Sequence, residues 1–337
     1  MYLYVTADRI GVETGGGVVT KNELEALAQL GPVTVVNPPP TRDPFETESV
    51  IPDFDLSNFK LAHFYSGTFP KLAKKLKDAG VKITYTAAAH DVQLSKEEHL
   101  KNGFEYNLPH MTNPELFEKY LFSYRAADRV ICPSYHSKSV MEKFGCTKID
   151  VVPHGCELMR PSKRYPKTFT VGYLGQIGPD KGLIYLMQAW NKLGYKHAVL
   201  QIAGRQSMGL IPLTRQLKKG HVNLLGYVKS IEDFYNSCNI YVQPSVTEGF
   251  GIEILEAINC HRPVVVSDGA GGADCVNSCG LIVPKRNVNE LAGAIDKLKN
   301  DQETFTFMAN NCAENAKRYT WDKIRAQYQK VWKEVLQ

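Results

Sequence analysis

The sequence predicts an α/β protein made of two Rossmann-like, doubly wound domains, and three observations carry that expectation. Short apolar runs rich in β-branched residues alternate with helix-compatible stretches along the whole chain. The alternation breaks at a polar, proline-punctuated run between His154 and Lys167 and then restarts. In both halves, strands end in glycine-containing turns that open helices. The 337 residues suit two domains, each able to bury its own core. The expected boundaries are 1–155, a linker at 156–167, and 168–319, and two similar halves imply a cleft between them.

The first strand runs to about Ala7. A glycine-rich loop, Asp8 to Gly17, follows, and a helix is expected over Val18–Leu30. Gly15, Gly16 and Gly17 are consecutive, so the GxGxxG fingerprint of dinucleotide binding is absent, yet they let backbone approach a ligand. A plain flexible turn fits this segment alone equally well. Strands at Val33–Val36, Leu61–Tyr65, Val81–Thr86, Arg129–Cys132 and Ile149–Val152 are interleaved with helices at about 70–79, 97–107, 113–127 and 134–144. Lys71, Lys74, Lys75 and Lys77 lie on the outer side of a covering helix whose Leu72, Ala73 and Leu76 face inward, which allows at most peripheral membrane contact. His90 follows the fourth strand, at the edge where open α/β sheets bind ligands.

In the second half, strand Phe169–Leu174 leads into a loop containing Gln176, Lys181 and Gly182. Strand Val199–Ala203 leads into Gly204 and Arg205, and Val222–Leu225 leads into Gly226, Tyr227 and Val228. Strands at about 239–242, 264–267 and 281–283 and helices at about 230–237, 289–299 and 304–318 complete the domain. The last segment, Thr320 to Leu336, is amphipathic.

The densest chemistry lies between Pro244 and Ala257. Glu248 to Gly251 is a strand-to-helix turn, which aims free backbone N–H groups at an anion. Gly249 and Gly251 keep side chains away from that place, and Glu248 and Glu256 stand on either side of the helix start. A capped helix with solvated carboxylates explains the turn alone as well, so the remainder of the chain decides.

Composition narrows the classes. With 43% hydrophobic and 22% charged residues the chain reads as globular, no apolar run reaches a membrane span, and a cytoplasmic protein is the expectation. The net charge of +5 is uneven: residues 1–160 hold 18 Lys and Arg against 20 Asp and Glu, the remainder 22 against 15. That basic excess accompanies the Pro244–Ala257 turn and suits a phosphate-bearing ligand, a solvated surface explaining it almost as well; no nucleic-acid partner is expected. The eight cysteines show no CxxC spacing and read as reduced, mostly buried thiols.

Taken together, Gly175–Gly182, Leu224–Val228, Pro244–Ser245, Glu248–Gly251 through Glu256–Ala257, and Arg262–Asp268 resemble the retaining glycosyltransferases of family 4, the group 1 glycosyl transferases of GT-B architecture. The resemblance covers nearly the whole chain. It implies two Rossmann-like domains facing across a cleft, with the acceptor on the N-terminal side and segment 320–337 packed back onto that first domain. It implies transfer of a hexose from a UDP- or GDP-linked donor to a glycan, lipid-linked or small-molecule hydroxyl, with no metal and no cofactor.

By position, the resemblance implies that Lys181 neutralises the donor diphosphate, Glu248 binds the donor sugar and Glu256 the ribose. The N–H groups of Phe250, Gly251 and Ile252 would meet sugar or phosphate oxygens, and Tyr227 and Val228 would flank the base. Gly15 to Gly17 would cover the diphosphate, and His90 would be the histidine near the reacting sugar. Stabilisation of a leaving diphosphate by such preorganised donors is worth ~3–4 kcal/mol each.

Three positions depart from the family pattern. Gln176 replaces a common arginine, for which Arg205 is a candidate substitute, His154 replaces a common Asn, and Glu253 adds a carboxylate. Acceptor contacts are expected from loops 37–59 and 91–112. A nucleotide-sugar epimerase, a sugar phosphorylase or a catalytically inactive nucleotide-sugar-binding protein would share the architecture.

Overall fold

The structure, a computed structural model, describes residues 1–11, 14–38, 51, 55–65, 69–105, 113–162, 164–205 and 219–337. In chain order the elements are β1 (Tyr2–Thr6), α1 (Gly15–Ala28), β2 (Val33–Val36), β3 (Leu61–Tyr65), α2 (Pro70–Asp78), β4 (Lys82–Thr86) and α3 (Val92–Lys101). Next come α4 (Pro114–Arg125), β5 (Arg129–Cys132), α5 (Tyr135–Lys143), β6 (Ile149–Val151), β7 (Phe169–Leu174), α6 (Leu183–Leu193), β8 (Ala198–Ala203) and β9 (Val222–Gly226). The chain closes with α7 (Ile231–Asn236), β10 (Ile240–Gln243), α8 (Ile252–Asn259), β11 (Val264–Ser267), β12 (Gly280–Val283), α9 (Val288–Asn300), α10 (Gln302–Ala316) and α11 (Trp321–Val335).

Two compact units result. The first comprises residues 1–89, 106–155 and 321–337, and the second 90–105 and 156–320. The first unit holds a six-stranded parallel sheet in the order β2-β1-β3-β4-β5-β6. Its strands are near-continuous apolar runs because helices cover both faces of such a sheet. Leu3, Val5, Phe64, Ile83 and Tyr85 are buried in its core.

The amphipathic α11 belongs to this unit. Arg325 bonds Asn22 and Glu25 of α1, Gln329 donates to the Ala26 carbonyl at 3.0 Å, and the Trp332 indole lies 3.3 Å from His63 Nδ1. His63 in turn is 2.8 Å from Thr84 and 3.4 Å from Glu23, whose carboxylate accepts from Tyr4 at 2.8 Å. Buried charge of this kind persists only where it is paired.

The second unit repeats the plan with strand order β12-β11-β10-β7-β8-β9, all parallel. Counted from its own first strand this is the 3-2-1-4-5-6 order of the Rossmann fold, whose reversal falls between β7 and β10. Leu200, Ile202, Ile240, Val242 and Val265 form its core with Leu186, Trp190 and Ile295 of the covering helices. The expected N-terminal span of 1–155 included residues 90–105; these group here with the second unit.

Two expectations are corrected. Gly15–Gly17 do not form a loop: they are the first turn of α1, because Thr14 caps the helix by accepting the Gly17 N–H at 3.1 Å. The helix expected at 97–107 starts at Val92, where Asp91 caps it through the Leu94 N–H at 3.1 Å, and ends at Lys101. The end of that expected span, and most of the polar loop 37–59, lie outside the described residues. All eight cysteines are free and buried.

Gly182 shows how tightly the loops after β7 and β10 pack. Its φ is +70°, and a Cβ there would stand 1.9 Å from the Pro244 carbonyl oxygen. Gly182→Ala combines left-handed strain with a backbone clash and is expected to cost about 3 kcal/mol, read as a lowered urea midpoint with an unchanged slope.

Candidate functional site

The carboxyl ends of β7 and β10 are adjacent, and the loops that leave them build the site. After β7 the chain turns through Gly175 to a single 3-10 turn at Pro179–Lys181, and Gly182 starts α6. After β10 it runs through Pro244 to Glu248 and enters α8 at Gly251, whose φ of +87° requires glycine. The Val246 N–H donates to the Asp180 carbonyl at 2.7 Å, which binds the two loops together. The turn is fixed from the other side by the Glu248 N–H to Gly269 at 2.9 Å and by the Gly271 and Gly272 N–H groups to the Glu248 and Phe250 carbonyls. Phe250 is buried with Leu255, Cys156 and Cys275 and anchors the start of α8.

The result is an ion pair between Lys181 and Glu248, each about 20% exposed (21% and 19%). Burial works against the lysine charge, but Glu248 and Asp180 outweigh it and hold the ammonium above its ordinary pKa. His90 sits half-buried in the field of Asp180, Lys181 and Glu248. Burial pulls its pKa down, Asp180 pushes it up, and the net effect is a lowered value that favours the neutral imidazole.

Glu256, one turn into α8, accepts from the Tyr235 hydroxyl at 2.8 Å. Burial and the neighbouring Glu253 raise its pKa to about 7, against the opposing Tyr235 hydrogen bond. Glu253 is itself raised, by burial and then by Glu248. Gly251, which opens α8, supplies no side-chain cap, and the helix start stands beside this cluster of charges.

The structure thus brings together His90, Lys181, Glu248, Gly249, Phe250, Gly251, Ile252 and Glu256. Gln176 and Arg205 have exposed side chains on neighbouring turns, joined by the Ile177 N–H to the Arg205 carbonyl at 2.9 Å. Tyr227 is 62% exposed beyond β9, and Val228 is packed partly against the core. In the first unit, Gly16 lies at the carboxyl end of β1, where its Cβ would be 3.0 Å from the Asp8 carboxylate and 3.7 Å from the Tyr65 hydroxyl. His154 is buried near Trp321, with its ring centroid 6.5 Å away, and burial lowers its pKa to about 4. That accounts for a neutral, packing imidazole.

Sequence reasoning passed over Asp180, Thr247 and Glu98. The Asp180 carboxylate accepts from Ser95 at 3.2 Å, and the Thr247 hydroxyl accepts the Asp91 N–H at 2.7 Å. Both contacts hold segment 90–105, and with it His90, against the lysine loop. Glu98 is fully buried and receives the Tyr185 hydroxyl at 3.0 Å and Arg286 Nε at 2.6 Å, which anchors the other end of α3. The Pro-Asp-Lys-Gly run was the visible signal for Asp180. No group of three or more His, Cys, Asp or Glu able to hold a metal ion occurs among the described residues, and none of their helices is long and apolar enough to cross a membrane.

Residues 168–301, which hold this site apart from His90, match the family model of the glycosyl transferases group 1. The N,N'-diacetylbacillosaminyl-diphospho-undecaprenol alpha-1,3-N-acetylgalactosaminyltransferase of Campylobacter jejuni is 26% identical over 312 residues, covering 87% of this chain and 81% of that protein. Against the first three curated relatives the chain is 26%, 30% and 33% identical and spans 63%, 47% and 44% of their length. Among solved structures, sucrose-phosphate synthase from Thermosynechococcus elongatus superposes with a TM-score of 0.79 at 17% identity over 99% of this chain and 98% of that one. Anabaena HepE in complex with UDP-glucose gives 0.72 at 18% identity over 99% and 100%. Over residues 168–301 the chain matches the glycosyl transferases group 1, and it has the GT-B fold of these solved structures.

Proposed function

We propose that this protein is a retaining glycosyltransferase that moves a hexose from a UDP- or GDP-linked donor to a hydroxyl acceptor. The observation that carries this reading is the Lys181–Glu248 pair beside the uncapped start of α8, at the point where the strand order of the second unit reverses. Cleavage of a glycosyl–phosphate bond puts negative charge on the departing diphosphate. In this reading the Lys181 ammonium and the α8 N–H groups neutralise it, so no metal is needed. Glu248, released from Lys181 when phosphate arrives, is free to bind the donor sugar hydroxyls, and Glu256 is the ribose ligand. His90, neutral at pH 7, can hydrogen-bond the reacting sugar without competing with it for positive charge. In this reading Tyr227 and Val228 flank the base, and acceptor selection belongs to the first unit. A glycan or lipid-linked acceptor is the part of this reading that the name of the Campylobacter relative supports, and a cytoplasmic location is proposed with it.

The deciding experiment is acceptor-dependent release of UDP or GDP from a panel of nucleotide sugars, run in EDTA. Release is expected to require acceptor and to survive chelation. An epimerase would convert donor without acceptor, and a binding protein would release nothing. Glu248→Gln is expected to retain nucleotide binding while losing at least a hundredfold in turnover; unchanged turnover removes Glu248 from the mechanism.

Arg205 is proposed to supply the charge that Gln176 lacks. Arg205→Ala should weaken binding of the nucleoside diphosphate several-fold and leave the nucleoside unaffected, measured by calorimetric titration; equal losses would refute the assignment.

Glu256 also carries a pH signature. Its folded-state pKa of about 7 exceeds the ordinary 4.5, so the folded state holds a proton that the unfolded state releases between those values. Its contribution to stability is therefore present below pH 4.5 and lost as the pH rises toward 7. Glu256→Gln should flatten that part of the stability profile, checked by urea unfolding at pH 5, 6 and 7.

A further inference from the structure

Glu253 is the second residue of α8 and one of the departures from the family pattern, and its position gives it a role. Its carboxylate lies at the helix start between two glycines. One carboxylate oxygen stands 3.4 Å from the Cβ position of Gly175 in the lysine loop, and the other stands 3.9 Å from that of Gly251. The group therefore bridges the two places where glycine leaves room beside the backbone, and does so at a helix N-terminus without another side-chain cap. Lys181 is the cation that acts on it from the β7 side; Glu248 faces it from the turn and Glu256 from the next turn of α8. The Tyr173 and Tyr241 hydroxyls, which also feel its charge, donate instead to the Gln176 and Leu174 carbonyls. A carboxylate with anionic neighbours, beside a helix start suited to phosphate, stands where a like-charged ligand would have to go in the donor-site reading.

We propose that Glu253 is a resident counter-anion: in the absence of donor it takes a phosphate's seat at the start of α8, and the diphosphate of a nucleotide donor must displace it. This rests on the donor-site reading above. Two consequences follow. Donor affinity is lower than the N–H groups and Lys181 would otherwise give, because displacing the carboxylate opposes binding. Nucleoside diphosphate product leaves more readily, because the side chain returns to the seat it vacates. The effect falls chiefly on the phosphates, since the ribose is held by Glu256 in this reading.

The test is isothermal titration of the wild-type protein and of Glu253→Gln, Glu253→Ala and Lys181→Ala with UDP, GDP, uridine and guanosine, after thermal melting has established that each variant is folded. Both Glu253 variants are expected to bind UDP or GDP at least tenfold more tightly than wild type, with nucleoside affinity within twofold, while Lys181→Ala binds the diphosphate at least tenfold more weakly. Unchanged or weaker diphosphate binding by both Glu253 variants, with the Lys181 dependence intact, overturns the counter-anion. Equal tightening toward nucleoside and diphosphate overturns it too, because the gain would not be a phosphate effect. If Lys181→Ala leaves diphosphate binding unchanged, or no nucleotide binds any variant, the donor-site reading itself falls and takes this inference with it.

Discussion

The site depends on one backbone contact: the Val246 N–H donating to the Asp180 carbonyl, with Gly182 pressed against Pro244 beside it. This contact joins a loop from β7 to a loop from β10, residues more than sixty positions apart, and leaves little freedom in either. Lys181 and Glu248 are then held side by side by main chain rather than by their own attraction. That matters because a half-buried ion pair has little net energy with which to organise loops, the Coulombic gain being largely offset by desolvation. The sheet order that makes β7 and β10 neighbours, and the apolar packing of α6 and α8, serve to keep those two strand ends together.

Much of the architecture was legible because parallel strands covered on both faces are apolar throughout. Val33–Val36, Leu61–Tyr65, Phe169–Leu174 and Val264–Ser267 stand out as such runs, and their limits agree with the observed strands. Reasoning from composition failed where a cap decides the boundary. Asp91 starts α3 five residues before the expected position, since its side chain meets a main-chain donor that periodicity does not reveal. At Gly15–Gly17 the helical periodicity is absent and the run reads as loop, and glycine disfavours helix by about 1 kcal/mol per residue. Thr14 and the packing of the helix behind them, including its contacts with α11, override that preference. Strand order is set by pairings distant in sequence, so it could be expected only from the class of fold.

The site was legible to a different depth for each residue. Lys181 and Glu248 announced themselves through position, at the ends of strands with glycines alongside. Asp180, Thr247 and Tyr235 did not, because each acts through a partner remote in sequence: Ser95, Asp91 and Glu256 respectively. Glu253 was visible only as an unexpected carboxylate, and its meaning emerged from the proximity of Gly175, seventy-eight positions earlier. His90 was expected from its place after β4. The assignment of its surrounding segment to the second unit required the three-dimensional contacts.

The burial of all eight thiols has a practical bearing. Burial also pushes several of them, among them Cys238, Cys260 and Cys275, up to about 12, so in the folded chain they are scarce in the reactive thiolate form. Alkylating reagents should therefore find the native molecule nearly inert and an opened one reactive at many positions. The chain carries its own clock for conformational opening: thiol trapping counts excursions from the native state, and a single cysteine introduced on the surface would accept a dye against almost no background.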